Sequence, residues 1–424
     1  MIAGGRTAAA RSWARAVPLL VLVLSACDET ADGSAATGGS IVLGESQVHR
    51  LGSSDAIATV RDLEVLPDGR VWVLNAVEPY FVGFGPGGDV VRIHGWAGGG
   101  PDEFGEPAGF VTGGIEGEAW VFDWVRHGLM LVSSPDSARR EVSLRLEALP
   151  QGSIAGGMNF LGNTVRTARL GDELILPRRS TTGETNVFGA WHSVWTADMV
   201  AMDPESGAVR EVVSLGAAIG DPTAHFDLAG VPLPFPFWYR LWAVCGAGGI
   251  RIHDRLRNEI RGFAADGTET GATRLPPPRY TTLSREEFAR ATFDIGLMEA
   301  MGRVDPNSPQ VSAADSSRIL NGMLQGIEAS PEQLANVLPR YVDYRCDEEG
   351  TQWIQPFDVE THGGAWMGFK ASRTWLRITP DGELREVVLP DRFDPHRFTP
   401  GRIWGVQRDE LDVASVAWVD VPRD

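Results

Sequence analysis

Apolar residues run in short stretches along most of the chain, each bounded by glycine, proline, aspartate or asparagine. "VLPDGRVWVLN" (Val65–Asn75), "FDWVRHGLMLV" (Phe122–Val132), "IHDRLRNEIRGF" (Ile252–Phe263) and "ASVAWVDV" (Ala414–Val421) share this form, which predicts short strands joined by tight turns. Two spacings recur. Gly-x-x-Trp appears as "GRVW" (Gly69–Trp72), "GEAW" (Gly117–Trp120), "GTQW" (Gly350–Trp353) and "GRIW" (Gly401–Trp404). A polar turn followed by an Arg-Glu-Val strand appears in "DSARREVSL" (Asp136–Leu144), "ESGAVREVVSL" (Glu205–Leu215) and "DGELREVVLP" (Asp381–Pro390). Together they define a unit of four antiparallel strands connected by hairpins.

One such sheet cannot bury both of its faces, but several packed face to face around an axis can. The expected fold is therefore all-β: a six-bladed β-propeller, with units near residues 58–95, 108–146, 160–216, 240–277, 341–390 and 396–422. "GGAW" (Gly363–Trp366) leaves a seventh unit open. The last unit is one strand short, and "IVLGESQVHRLG" (Ile41–Gly52) is strand-like. It is expected to supply the missing outer strand and so close the ring.

One segment breaks the strand pattern. Ser284 with Glu287 forms a capping box; Ile319, Leu320, Met323, Leu324 and Ile327 repeat at helical spacing; Ser330, Pro331 and Gln333 open a further helix. A helical insertion over about 281–340, between the fourth and fifth units, follows from this spacing.

The amino terminus reads as a separate region. Arg6, Arg11 and Arg15 precede the apolar run "AVPLLVLVL" (Ala16–Leu24), a basic region followed by an apolar one too short to span a bilayer. The next residues, "LSAC" (Leu24–Cys27), resemble a bacterial lipobox, which implies cleavage and lipidation at Cys27 and a membrane-anchored protein of the cell envelope facing the periplasm. The expected domains are thus a signal peptide over 1–27, a polar tether over 28–40 and the propeller over 41–424.

The 424-residue chain carries a formal charge of −18. That balance argues against a nucleic-acid partner, which needs a basic face to displace counterions. Export permits disulfides, and with Cys27 lipidated Cys245 and Cys346 remain. Each lies four residues before a glycine, Gly249 and Gly350, which puts both at the ends of inner strands of neighbouring units. They could pair or stay as buried thiols.

The repeats with "GGGPDEF" (Gly98–Phe104) between units resemble the six-bladed propeller lipoproteins related to NHL-repeat and TolB-like proteins. Catalytic motifs are sparse: there is no Gly-x-Ser-x-Gly elbow, no His-Glu-x-x-His helix and no P-loop. Asp123 and Asp254 resemble the aspartate that follows the second strand in NHL repeats, and a turn-capping role through their side-chain oxygens is expected ahead of metal binding. "VPLPFPFWYRLWA" (Val231–Ala243) combines aromatics with one arginine, and Trp238, Tyr239 and Arg240 are its candidate ligand-binding residues. Glu103, in the glycine-rich stretch "GWAGGGPDEFGEP" (Gly95–Pro107), is a further candidate, although that stretch reads mainly as the joint between two units.

The leading functional expectation is a binding module without catalysis, taking a small molecule, a glycan or a protein and needing no cofactor. A hydrolase or lyase of the lactonase type, with a divalent cation such as Ca2+ at the axis, is the alternative. A structural component of the envelope is the third.

Overall fold

The computed structural model describes residues 37–100, 102–113, 117–123, 125–126, 128–133, 141–143, 167–178, 198–214, 225–228, 231–234, 241–246, 249–254, 257–277, 317, 321, 324, 340–357 and 373–422. All of these belong to the unit Ala35–Asp424.

Two strands precede the repeats, β1 (Thr37–Val42) and β2 (Val48–Ser53). The first unit comprises β3 (Val60–Val65), β4 (Val71–Asn75), β5 (Phe81–Phe84) and β6 (Val90–His94). A short parallel pair follows, β7 (Trp96–Ala97) with β8 (Glu103–Phe104). The second unit is β9 (Pro107–Thr112), β10 (Trp120–Asp123), β11 (Gly128–Leu131) and β12 (Glu141–Ser143). The third is β13 (Thr167–Leu170), β14 (Glu173–Arg178), β15 (Asp198–Met202) and β16 (Val209–Val213). After the hairpin β17 (His225–Leu228) and β18 (Val231–Pro234) comes the fourth, β19 (Trp242–Cys245), β20 (Gly249–Asp254), β21 (Glu259–Ala264) and β22 (Glu269–Arg274). The fifth is β23 (Tyr341–Cys346), β24 (Gln352–Pro356), β25 (Thr374–Ile378) and β26 (Leu384–Val388), and the last is β27 (Phe393–Thr399), β28 (Arg402–Arg408) and β29 (Ala414–Asp420).

Strands pair antiparallel in chain order within each unit. The last unit is completed by β2, whose residues Val48–Ser53 pair antiparallel with β29. The expected closing strand is thus present, though it is shorter than Ile41–Gly52. Ile41 and Val42 instead belong to β1, which adds in parallel to β26 as a fifth strand of the fifth unit. Thr37–Ser40, read from sequence as the end of the tether, are part of that strand.

The first strands of the units succeed one another in a closed cycle, β3 to β9, β13, β19, β23, β27 and back to β3. The hydrophobic cores follow the same cycle, each lying between two units. Trp72, Leu74 and Phe81 of the first unit pack on Phe110, Val121 and Met130 of the second. From the opposite face of the same strands, Val71 and Val73 pack on Val406 and Val416 of the last. β4 is buried at every position whereas the outer strand β6 is largely exposed, because a middle strand is covered on both faces and a rim strand is not. The fold is a β-propeller.

This arrangement explains the Gly-x-x-Trp spacing. Gly69 turns the chain from β3 into β4 with φ 84°, a conformation that disfavours side chains with a Cβ. Three residues on, the indole points at the following unit: Trp72 at the second, Trp120 at the third, Trp353 at the last and Trp404 at the first. The glycine sets the hairpin, and the tryptophan supplies the wedge between units.

The helical segment expected over about 281–340 lies outside the described residues apart from Arg340 and from Ser317, Asn321 and Leu324, each of which is helical. The extra unit considered at Gly363–Trp366 also lies outside them.

Candidate functional site at the axis

The inner strands carry charge where an all-apolar wall would suffice for packing. Opposite the tryptophan of the neighbouring strand stand Glu64 (paired with Trp72), Arg345 (with Trp353) and Arg397 (with Trp404). These come from three consecutive units, the fifth, the last and the first, and so form an arc at one level of the axis.

Arg397 joins two carboxylates: its Nη2 lies 3.5 Å from Glu64 Oε1 and 3.4 Å from Glu348 Oε1. Arg345 pairs with Asp343 at 3.2 Å. Burial pushes the Glu64 carboxyl up to about 7; Arg397 opposes the shift, while Asp62 and Glu348 reinforce it. A carboxyl that changes charge near neutrality is suited to proton transfer or to sensing a bound charge. Asp62, two residues earlier, is committed elsewhere. Its oxygens accept hydrogen bonds from Leu63 N–H and, across to the second unit, Phe110 N–H, both at 2.9 Å.

Two spaces lie near this arc. An axial void of about 30 Å³ is lined by Thr112, Trp242, Tyr344, Arg345, His396 and Arg397, room for about one water molecule. A groove of about 580 Å³ opens on the face formed by the tight turns, between the first and last units. Leu66, Pro67, Glu348, Pro400, Arg402 and Trp404 help to line it. Its volume falls within the range of small-molecule sites, whereas that of the void does not. Glu348 lines the groove and also pairs with Arg397, so a ligand touching Glu348 would sit two ion pairs from Glu64.

Asp123 accepts hydrogen bonds from Gly105 N–H (2.7 Å), Glu106 N–H (3.1 Å) and Arg126 N–H (3.0 Å). Asp254 accepts from Arg257 N–H at 3.2 Å. Asn75, at the corresponding end of β4, donates to Ala56 and Pro79 carbonyls, both at 2.8 Å, and accepts from Ala58 N–H. The polar residue ending the second strand therefore fastens turns at these ends and, in the first two units, the incoming connection.

The sequence candidates are dispersed. The Glu103 carboxylate accepts from Gly100 N–H within its own loop; Phe104 is buried between the first two units, 4.7 Å from the Phe81 ring. Cys245 and Cys346 have their sulfurs at bonding distance, 2.12 Å, with Cα atoms 5.1 Å apart. Cys27, Trp238, Tyr239 and Arg240 lie outside the described residues. Among the described residues no three His, Cys, Asp or Glu side chains converge as metal ligands. The donors at the axis do not fit a cation, since Asp62 is held by backbone amides and Glu64 faces an arginine.

Glu64, Arg397 and Glu348 were not singled out by sequence reasoning. The available signal was a charged residue within an inner strand, opposite the repeated tryptophan.

No protein-family description matches the chain, and no curated protein does. Among solved structures it is similar to virginiamycin B lyase from Staphylococcus aureus, at 11% identity over 88% of this chain and 99% of that one, with TM-score 0.40. It is also similar to a member of the DUF4221 family from Bacteroides vulgatus, at 9% identity over 88% and 97%, TM-score 0.42. The third is regucalcin, a calcium-binding protein from Agrobacterium tumefaciens, at 12% identity over 89% and 95%, TM-score 0.40.

Proposed function

We propose that the protein is an exported, lipid-anchored propeller of six blades that acts as a binding module. It takes a small polar ligand in the turn-face groove between its first and last units. The observation that carries this reading is the continuity of a ligand-sized groove with the Glu348–Arg397–Glu64 chain of charges. Glu348 and the Arg402–Asp420 pair, 2.9 Å apart, put both signs of charge beside the apolar surfaces of Leu66, Pro67 and Pro400, a mixture that orients a ligand while burying part of it. The basic and apolar run ahead of Cys27 supports a module held at a membrane surface, where binding without turnover is a sufficient role.

Thermal-shift screening against sugars, amino acids and organic anions tests the reading. Ligands that raise the melting temperature should lose that effect in Glu348→Ala and Arg402→Ala. A screen in which every stabilising ligand is indifferent to both substitutions would sink the groove as the site.

The raised Glu64 carboxyl supports a second reading, hydrolysis or elimination with Glu64 as acid or base. It requires turnover of a lactone or ester with an inflection near the Glu64 ionisation, abolished by Glu64→Gln; activity that survives the substitution removes it.

A further inference from the structure

Of the nine exposed large apolar side chains among the described residues, Val42 lies on β1, Val90, Val91 and Ile93 lie on the rim strand β6, and the other five lie on the face opposite the groove. Val77 lies between β4 and β5, Trp96 between the first two units, Val125 between β10 and β11, and Leu411 and Val413 between β28 and β29. All five sit on connections that follow the second or fourth strand of a unit, and these leave from the face opposite the tight turns. Val125 is 62% and Leu411 85% exposed, so neither contributes to the inter-unit cores. The tight turns of the groove face carry none of the exposed large apolar residues among the described residues.

The five are not scattered singly. Hydrogen bonds stitch their loops together in order around the ring. Arg408, beside the Leu411 loop, donates to Ala58 O at 2.9 Å. Asn75 ties Ala56 O to Pro79 O, and Tyr80 N–H donates to Gly95 O at 2.8 Å, next to Trp96. Arg126, next to Val125, donates to Gly98 O at 2.6 Å. The result is a crescent of neighbouring loops over the last, first and second units, each carrying exposed apolar side chains. Clustering on neighbouring loops separates a candidate interaction surface from isolated apolar residues found on any protein.

The charge beside it is predominantly acidic. The same loops carry Asp55, Glu78, Glu106, Asp409, Glu410 and Asp412; Asp412 pairs with Arg408 at 3.5 Å and Asp409 accepts from Leu411 and Val413 N–H, while Arg126, Arg392 and Arg408 also donate to backbone carbonyls, so the carboxylates still outnumber the arginines. We propose that this crescent docks a segment of a partner protein in which apolar side chains are flanked by lysine or arginine. The apolar residues meet Trp96, Val125 and Leu411, and the basic ones meet the carboxylates. The −18 charge of the chain favours the same partner at long range. The proposal is independent of the groove, which lies on the other face.

Two labelled synthetic peptides of equal length, one alternating Leu with Lys and the other Leu with Glu, are titrated against the full chain and followed by fluorescence anisotropy. The Lys peptide should bind and the Glu peptide should not. Trp96→Ser combined with Leu411→Ser should weaken binding by about tenfold or more, whereas Val91→Ser on the rim and Glu348→Ala in the groove should leave it unchanged. Leu411→Ser alone, at a position too exposed to affect folding, decides the matter if the double variant does not fold. Equal binding of both peptides, or binding insensitive to Leu411, would overturn the proposal. So would Leu411-dependent dimerisation, or Leu411-dependent attachment to phosphatidylethanolamine–phosphatidylglycerol vesicles, since each assigns the crescent to another occupant.

Discussion

Glu64 and His94 respond to pH in opposite senses, and each response reports its surroundings. Glu64 is raised from 4.5 to about 7, so the folded protein holds a proton that the unfolded chain releases. Stability therefore falls as pH rises from 4.5 through 7, by on the order of 3 kcal/mol. Glu64→Gln should remove this fall, giving a urea midpoint that exceeds the wild type's by more at about pH 8 than at about pH 5. His94 is packed against Trp72, Phe81 and Phe104, and burial first, then Arg92, pushes it down to about 4. The unfolded chain takes up the proton from about 6.5 downward while the folded one resists, so stability falls with pH over that window. His94→Phe should flatten the acid limb of a pH–stability curve; an unchanged limb would show that another group controls it.

At the scale of elements, the joint between units is the weak point that polar side chains secure. Asp123→Ala leaves three backbone N–H groups without their acceptor, and a loss of about 2–4 kcal/mol in chemical denaturation is expected. Asp123→Asn should lose less, because one oxygen acceptor remains. The two amino-terminal strands should also separate by truncation. Removing β1 strips an added fifth strand, whereas removing β2 leaves the last unit one strand short and exposes Val416 and Val419. Loss of β2 should abolish a single cooperative transition that loss of β1 preserves, as read by circular dichroism melting. Sequence made the Gly-x-x-Trp hairpin, the missing strand and the turn role of Asp123 legible, since each depends on residues close together in the chain. It did not reveal β1, whose "TGGS" start has no apolar periodicity and is a strand because β26 offers an open edge.

For the whole molecule, the Cys245–Cys346 pair links the inner strands of the fourth and fifth units across 101 residues. A crosslink over so long a loop restricts the unfolded chain, worth up to about 4–5 kcal/mol in a chain-entropy account. Reduction, or Cys245→Ser with Cys346→Ser, should lower the melting temperature. Two free thiols by mass analysis of alkylated, unreduced protein would show instead that the pair stays open. By itself the sequence determined the strand period, the repeated unit and a closed all-β ring. Those properties arise from turn chemistry and alternation within a few residues. Only the tertiary structure decided where charge and exposed apolar surface come together. Glu64 and Arg397 stand near opposite ends of the chain, and Trp96, Val125 and Leu411 belong to three different units. Ring closure brings each set together, and no local pattern records a contact made by closing the ring.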